Sequence, residues 1–141
     1  MGEPNQGIVI VSHSRSLGQA AAELASQMLP GPDTPRIEVA AGLDDTTLGT
    51  DAAAVSAAIE KMSGCDGILV LVDLGSAILS AEMALEFLDP QIASKVKIST
   101  APLVEGAVVA AIMASTGADL ETVAAEAERA LEPKISQLSS D

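Results

Sequence analysis

The apolar residues follow two different rhythms along the chain. Gly7-Ile-Val-Ile-Val-Ser12 is a short β-branched run, and Gly67-Ile-Leu-Val-Leu-Val72 is apolar on every residue. Such runs predict strands covered on both faces, as in a parallel sheet. Arg36-Ile-Glu-Val-Ala40 and Lys95-Val-Lys-Ile-Ser99 read as two further strands. Between them the steps change to three and four. Leu17, Ala20, Ala21, Leu24 and Met28 predict a helix from about Ser16 to Leu29, stopped by Pro30-Gly31-Pro32. Val55, Ile59 and Met62 predict a second helix, capped by Thr50 and ended by Gly64. Ser76 is placed to cap a third, reaching about Leu88 before Asp89-Pro90 breaks it. Its Ile78, Leu79, Met83, Leu85, Phe87 and Leu88 cover a broad arc, which suggests burial on more than one side, by a second subunit included. Pro102 opens a helix to about Ser115, and Asp119 caps a last one through Leu131.

The order is β-α-β-α-β-α-β-α-α. It predicts an α/β fold, an open parallel sheet of about four strands with helices on both faces and right-handed crossovers. A single domain is expected over residues 7–131, with tails at 1–6 and 132–141. In such sheets chemistry sits beyond the carboxyl ends of the strands. Those ends hold His13, the Ala41 to Asp45 loop, Asp73 to Ser76, and Thr100 to Glu105.

Composition narrows the function. Of 141 residues 48% are apolar, yet Phe87 is the sole aromatic, so base-stacking and sugar-stacking surfaces are poorly supported. Seven basic against twenty acidic residues give a net charge of −13. Neither nucleic acid nor an anionic membrane suits that balance, whereas a positively charged protein surface does. One cysteine, Cys65, and one histidine exclude an internal disulfide and a conventional zinc site. Cys65 reads as a packed small residue. The opening residues lack the basic start of a secretory signal, and no apolar run is long enough to span a membrane, so a cytoplasmic protein is expected. There is no P-loop, dinucleotide fingerprint or nucleophile elbow. Asp44-Asp45 reads as a solvated loop before a cation site, and Glu121, Glu126, Glu128 and Glu132 as the outer face of the last helix.

His13 is the candidate nucleophile. A lone histidine is most often structural or merely exposed. Its place one residue past the first strand, ahead of a helix, favours chemistry instead. Imidazole is nucleophilic near neutral pH, and a helix start offers N–H groups and a positive dipole end to an anion. Arg15 either adds positive charge or is a solvated side chain. Asp73 ends the strongest strand. If the first and third strands are neighbours, its carboxylate can fix the tautomer of His13 and leave the other nitrogen free. Otherwise Asp73 is a turn former. Gly75 and Ser76 allow close backbone approach and a capped helix start.

Several segments occur together and in order: Val9-Ile-Val-Ser-His-Ser14, Gly42-Leu-Asp-Asp45, Leu48-Gly-Thr50, Val70-Leu-Val-Asp-Leu-Gly-Ser-Ala77, Ala81-Glu-Met-Ala-Leu-Glu86 and Ala101-Pro-Leu-Val-Glu-Gly-Ala107. From about Gly7 to Leu131 the chain resembles the phosphoryl-carrier subunits of phosphotransferase-dependent dihydroxyacetone kinase, the DhaM family, whose domain has the mannose-type EIIA fold. The resemblance implies that His13 is phosphorylated, through Nε2, by the phosphocarrier HPr. The phosphoryl group then passes to ADP on a second subunit, DhaL, for phosphorylation of dihydroxyacetone held by DhaK. It implies that Asp73 orients His13, and that Ser14, Gly42, Gly75 and Ser76 line the phosphoryl site. It further implies a homodimer, a separate HPr and no cofactor bound by this subunit. Mannose-transporter relatives usually carry Gly-Thr-His-Gly where this chain has Val-Ser-His-Ser, which favours the kinase branch. Two other readings stay open at this point. One is a mannose-type EIIA feeding a sugar permease, and the other is a non-catalytic regulatory module in which His13 contacts a bound anion.

Overall fold

The computed structural model describes residues 5–29 and 35–139. Four strands, β1 (Gln6–Ser12), β2 (Arg36–Ala41), β3 (Gly67–Val72) and β4 (Val96–Ile98), form one sheet in the order β2-β1-β3-β4. All three pairings are parallel. The helices are α1 (Arg15–Gln27), α2 (Ala52–Glu60), α3 (Ser76–Glu86), α4 (Pro90–Ala93), α5 (Leu103–Ser115), α6 (Leu120–Glu128) and α7 (Glu132–Ser139).

The central strands explain themselves. Every residue of β1 and of β3 is buried, because side chains alternate between two covered faces. On one face Ile8, Ile10, Leu69 and Leu71 pack with alanines of α1, α5 and α6. On the other Val9, Val11, Ile68, Val70 and Val72 meet α2 and α3. Alanine dominates the helix sides of both layers, so the helices approach the sheet closely without aromatic filler. Gly18 carries this furthest, since a Cβ there would lie 2.7 Å from Ala41 Cβ.

The expected fold class and strand adjacency match the structure, and several local expectations do not. Asp51, not Thr50, caps α2, its carboxylate accepting the Ala53 N–H at 3.0 Å. Thr50 instead bonds across to Ser80, with Oγ atoms 2.6 Å apart. The α2 helix ends at Glu60, before Gly64, and Lys61 follows in ordinary helical geometry. Ser76 opens α3 but does not cap it. Gly75 holds the cap position and makes no side-chain capping bond. Asp89 starts the short α4, where Pro90 suits the first helical turn. Gln6 is buried in β1 rather than part of a tail. Residues 132–139 form α7 rather than a frayed end, clasped to α5 by a Lys134–Glu105 ion pair. That contact joins residues distant in sequence, so no local pattern announces it. The Pro30-Gly31-Pro32 stop lies outside the described residues; α1 ends at Gln27, with Met28 as its C-cap.

Candidate functional site

The sheet order places a switch point between β1 and β3. From β1 the chain crosses outward to β2, and from β3 it crosses the other way to β4. The carboxyl ends of the strands at such a switch point are the usual ligand position in open α/β sheets. Val11 pairs with Val72 in the β1–β3 register, and the Asp73 N–H reaches the Val11 carbonyl at 3.1 Å. The next residues, Ser12 and His13 on one side and Asp73 on the other, are therefore held face to face.

Asp73 accepts four hydrogen bonds. Its Oδ2 takes the His13 backbone N–H at 2.9 Å and the Ser12 hydroxyl at 3.0 Å. Its Oδ1 takes His13 Nδ1 at 3.0 Å and the Leu74 N–H at 2.7 Å. Burial pushes the Asp73 carboxyl up, but the bonds from His13, Ser12 and Leu74 together outweigh it and hold the group below its usual value. An ionised carboxylate can only accept, so the proton between it and His13 is assigned to Nδ1. Nε2 then carries the lone pair. The Ser76 hydroxyl lies 3.0 Å from Nε2 and donates to it in this tautomer. The His13 side chain is 26% exposed and that of Asp73 8%, so the ring reaches solvent while its anchor is covered.

The other expected site residues are distributed more widely. Ser14 caps α1, its Oγ accepting the Leu17 N–H at 3.3 Å and sitting 3.2 Å from Ser16 Oγ. The Ser14 N–H is itself bound to Ser12 Oγ at 3.1 Å. Around the start of α1 the backbone donors of His13, Ser14 and Leu17 are thus engaged. At the start of α3 Gly75 supplies no side-chain cap, and the Ala77 and Ile78 amides bond back to the Leu74 and Gly75 carbonyls at 2.9 and 3.0 Å. Gly42 has φ 68°, a left-handed conformation open to glycine, and its N–H binds the Ser12 carbonyl at 3.0 Å. Arg15 ties down the same loop. Its Nε donates to the Ala41 carbonyl at 3.0 Å, and its Nη1 meets Asp45 at 3.2 Å. Asp44 folds the loop by accepting from Thr46 and Thr47. Among the described residues no cluster of acidic, histidine or cysteine side chains could hold a metal ion.

Sequence reasoning passed over Ser12 and Gly49. The Gly49 N–H binds the His13 carbonyl at 2.8 Å, so the 42–50 loop clamps the histidine backbone. Leu43 and Leu48 on that loop, and Leu74 beside Asp73, are 52%, 69% and 59% exposed. An open apolar rim next to a partly exposed imidazole is the kind of surface a partner macromolecule covers.

Known proteins bear on this geometry. The family model described as EIIA-man, PTS system fructose IIA component, matches residues 7–124. Phosphoryl donor subunit DhaM of a PEP-dependent dihydroxyacetone kinase from Listeria innocua is 39% identical over 84% of this chain and 94% of that protein. The chain belongs to the EIIA-man family, in its DhaM branch. The DhaM subunit of the Escherichia coli PEP-dependent dihydroxyacetone kinase is 51% identical over 93% of this chain. This chain spans 28% of the length of that relative. A crystal structure of EF1359, a protein of unknown function, superimposes with a TM-score of 0.76 and 32% identity, covering 89% of this chain and 94% of that one. In this EIIA-man domain His13 and Asp73 meet at the β1–β3 switch point, and among the described residues no helix is long and apolar enough to cross a membrane.

Proposed function

We propose that this EIIA-man domain is a phosphohistidine carrier serving a dihydroxyacetone kinase. The arrangement of His13 carries the reading: Nδ1–H is anchored on Asp73, and Nε2 is turned toward solvent with one hydroxyl beside it. The Nε2 lone pair attacks the phosphorus of a phosphorylated HPr-type carrier. A P–N bond forms at His13 as the donor's P–N bond breaks in line. Asp73 keeps the Nδ1 proton in place and stabilises positive charge growing on the ring. The second transfer reverses these roles, with ADP on a DhaL partner as acceptor and DhaK holding dihydroxyacetone. Such transfers need positioning and charge stabilisation rather than a covalent cascade, so one nucleophile, one carboxylate and backbone donors suffice. In this reading the nucleotide sits on the partner and the subunit needs no cofactor of its own.

The partners in this reading follow from the same surface. The net charge of −13 steers the domain onto a positively charged rim, and the exposed leucines beside His13 supply the apolar centre. A homodimer belongs to this reading too. Leu79 and Met83 on α3 and Phe87 at its C-cap lie one turn apart and are 68%, 55% and 58% exposed. A cytoplasmic location is where these partners and ADP are found together.

The test is labelled phosphoenolpyruvate with enzyme I and HPr, followed by mass spectrometry of the modified residue. Acid-labile, base-stable phosphate on His13, absent from His13→Ala, is the expected result. No label on the wild type removes the carrier reading altogether. Adding DhaK, DhaL, ADP and dihydroxyacetone separates the kinase from a sugar permease. Label chased into dihydroxyacetone phosphate supports the kinase, and label retained on His13 favours the transporter branch. A transfer rate indifferent to salt would remove the steering argument.

A further inference from the structure

We propose that Ser12 is a positioning residue for phosphoryl transfer, its buried hydroxyl fixing the Asp73 carboxylate and, through it, the ring of His13. The inference rests on the carrier reading for its kinetic consequence, and on geometry alone for its structural one.

Ser12 is the last residue of β1 and is fully buried, one of only four buried polar side chains among the described residues. A buried hydroxyl in a central strand costs free energy unless both its donor and its acceptor sides are satisfied. Here both are. Ser12 Oγ accepts the Ser14 N–H at 3.1 Å and lies 3.0 Å from Asp73 Oδ2. The carboxylate cannot donate, so the hydroxyl proton must point to Asp73.

The direction matters for the ring. Rotation about either side-chain torsion of Asp73 would turn its carboxylate oxygens away from His13. Two main-chain donors, from His13 and Leu74, and the Ser12 hydroxyl hold it against that turn. Among the described residues Ser12 is, apart from the ring itself, the only side-chain donor to Asp73, so it is the one of these supports that a substitution can delete outright. With it removed, Oδ2 keeps a single donor and the Ser14 N–H loses its acceptor. The carboxylate then gains freedom, and the imidazole loses part of its preference for the Nδ1–H tautomer. Fewer molecules present an Nε2 lone pair to the donor at any instant.

Ser14 is the closest alternative, and its hydroxyl is engaged in capping α1. Ser76 touches the opposite ring nitrogen and acts on the reacting atom directly. Of the three, only Ser12 bonds the Asp73 carboxylate.

The experiment compares wild type with Ser12→Ala, Ser12→Thr and Ser12→Cys. The chain has one histidine, so ring-nitrogen NMR gives a single, unambiguous tautomer signal. Ser12→Ala is expected to lower the rate of phosphorylation by phospho-HPr about tenfold, the lower end for loss of an outer positioning bond. Its ring should shift from the Nδ1–H form toward a mixture. Ser12→Thr, which keeps the hydroxyl, should restore both readouts, and the near-isosteric Ser12→Cys, with a weak donor, should fall between. A Ser12→Ala protein with wild-type tautomer and rate overturns the proposal. So does equal impairment of Ser12→Ala and Ser12→Thr, which would trace the effect to packing. Should Ser12→Ala fail to fold, the ranking of the Thr and Cys variants against wild type decides. If the wild type itself takes no phosphate, the carrier reading falls, while the tautomer ranking still tests Ser12.

Discussion

The Ser76 hydroxyl sits on the one imidazole nitrogen that Asp73 leaves open, with Oγ 3.0 Å from His13 Nε2. Sixty-three residues separate the two along the chain, and α3 brings them together by starting at Ser76. In the resting protein this bond holds the lone pair. Once the phosphoryl group is on Nε2, the same hydroxyl is near enough to donate to a phosphoryl oxygen. Ser76→Ala is therefore expected to accept phosphate at His13 still, but about tenfold more slowly, and to hold it for a shorter time. The figure is below the roughly hundredfold typical of a buried oxyanion donor, because the site is open to water. Rapid-quench labelling and the decay of purified phosphoprotein measure the two effects. Wild-type values for both would show that Ser76 is only the first residue of a helix.

Asp73→Ala removes the anchor itself. Folding should survive, since the carboxylate lies at the edge of the core, while phosphoryl transfer should fall about a hundredfold. Labelling kinetics with saturating phospho-HPr report this directly. A rate within twofold of wild type would reduce Asp73 to a turn former.

The same carboxylate makes stability depend on pH. Burial pushes the Asp73 carboxyl up, and the hydrogen bonds from His13, Ser12 and Leu74 pull it below its usual 3.8. A carboxyl lowered on folding binds its proton less readily in the native state than in the unfolded one. Its stabilisation is fully present above 3.8 and fades as pH falls through the lower, native value. Urea unfolding of wild type and Asp73→Asn should thus differ most near neutrality and converge below that point. An unchanged gap in strong acid would mean that the charge contributes nothing.

Two glycines make a contrast between fold and site. At Gly18 a Cβ would stand 2.7 Å from Ala41 Cβ and 2.9 Å from Val39 Cγ1, so Gly18→Ala forces α1 off the sheet. A loss of about 1–3 kcal/mol is expected in urea unfolding, the usual range for overpacking. At Gly75 a Cβ would meet no atom within 4 Å, and φ is −56°, ordinary for alanine. Gly75→Ala should leave the unfolding midpoint where it is or raise it slightly. Slower transfer from phospho-HPr at unchanged stability would locate Gly75 on the docking surface; a normal rate would remove it from the site.

Lys134 and Glu105 fasten α7 to α5. The pair is partly exposed, so its contribution to global stability is small. Lys134→Ala should leave the unfolding midpoint almost unchanged and raise amide hydrogen exchange within 132–139. Exchange rates equal to wild type would show that α7 is held by other contacts.

Much of the architecture was legible in the sequence, and for local reasons. Ile8 to Val11 and Ile68 to Val72 are apolar at every position, which only a strand covered on both faces tolerates. Their alternation with helical spacing dictated a parallel sheet, and the sheet dictated that His13 and Asp73 stand at its carboxyl edge. What each small polar residue does there was decided by tertiary structure. Ser76 reads as a helix cap and is a partner of Nε2; Thr50 reads as a cap and bonds Ser80; Ser12 reads as the end of a strand and braces Asp73. Their partners lie thirty to sixty-three residues away, and a hydroxyl can serve any donor or acceptor that the fold brings within 3 Å or so. Hydrophobic periodicity is a property of neighbours in sequence, so it can be read from the chain. The partner of a hydroxyl is a property of neighbours in space, and only the packed sheet determines it.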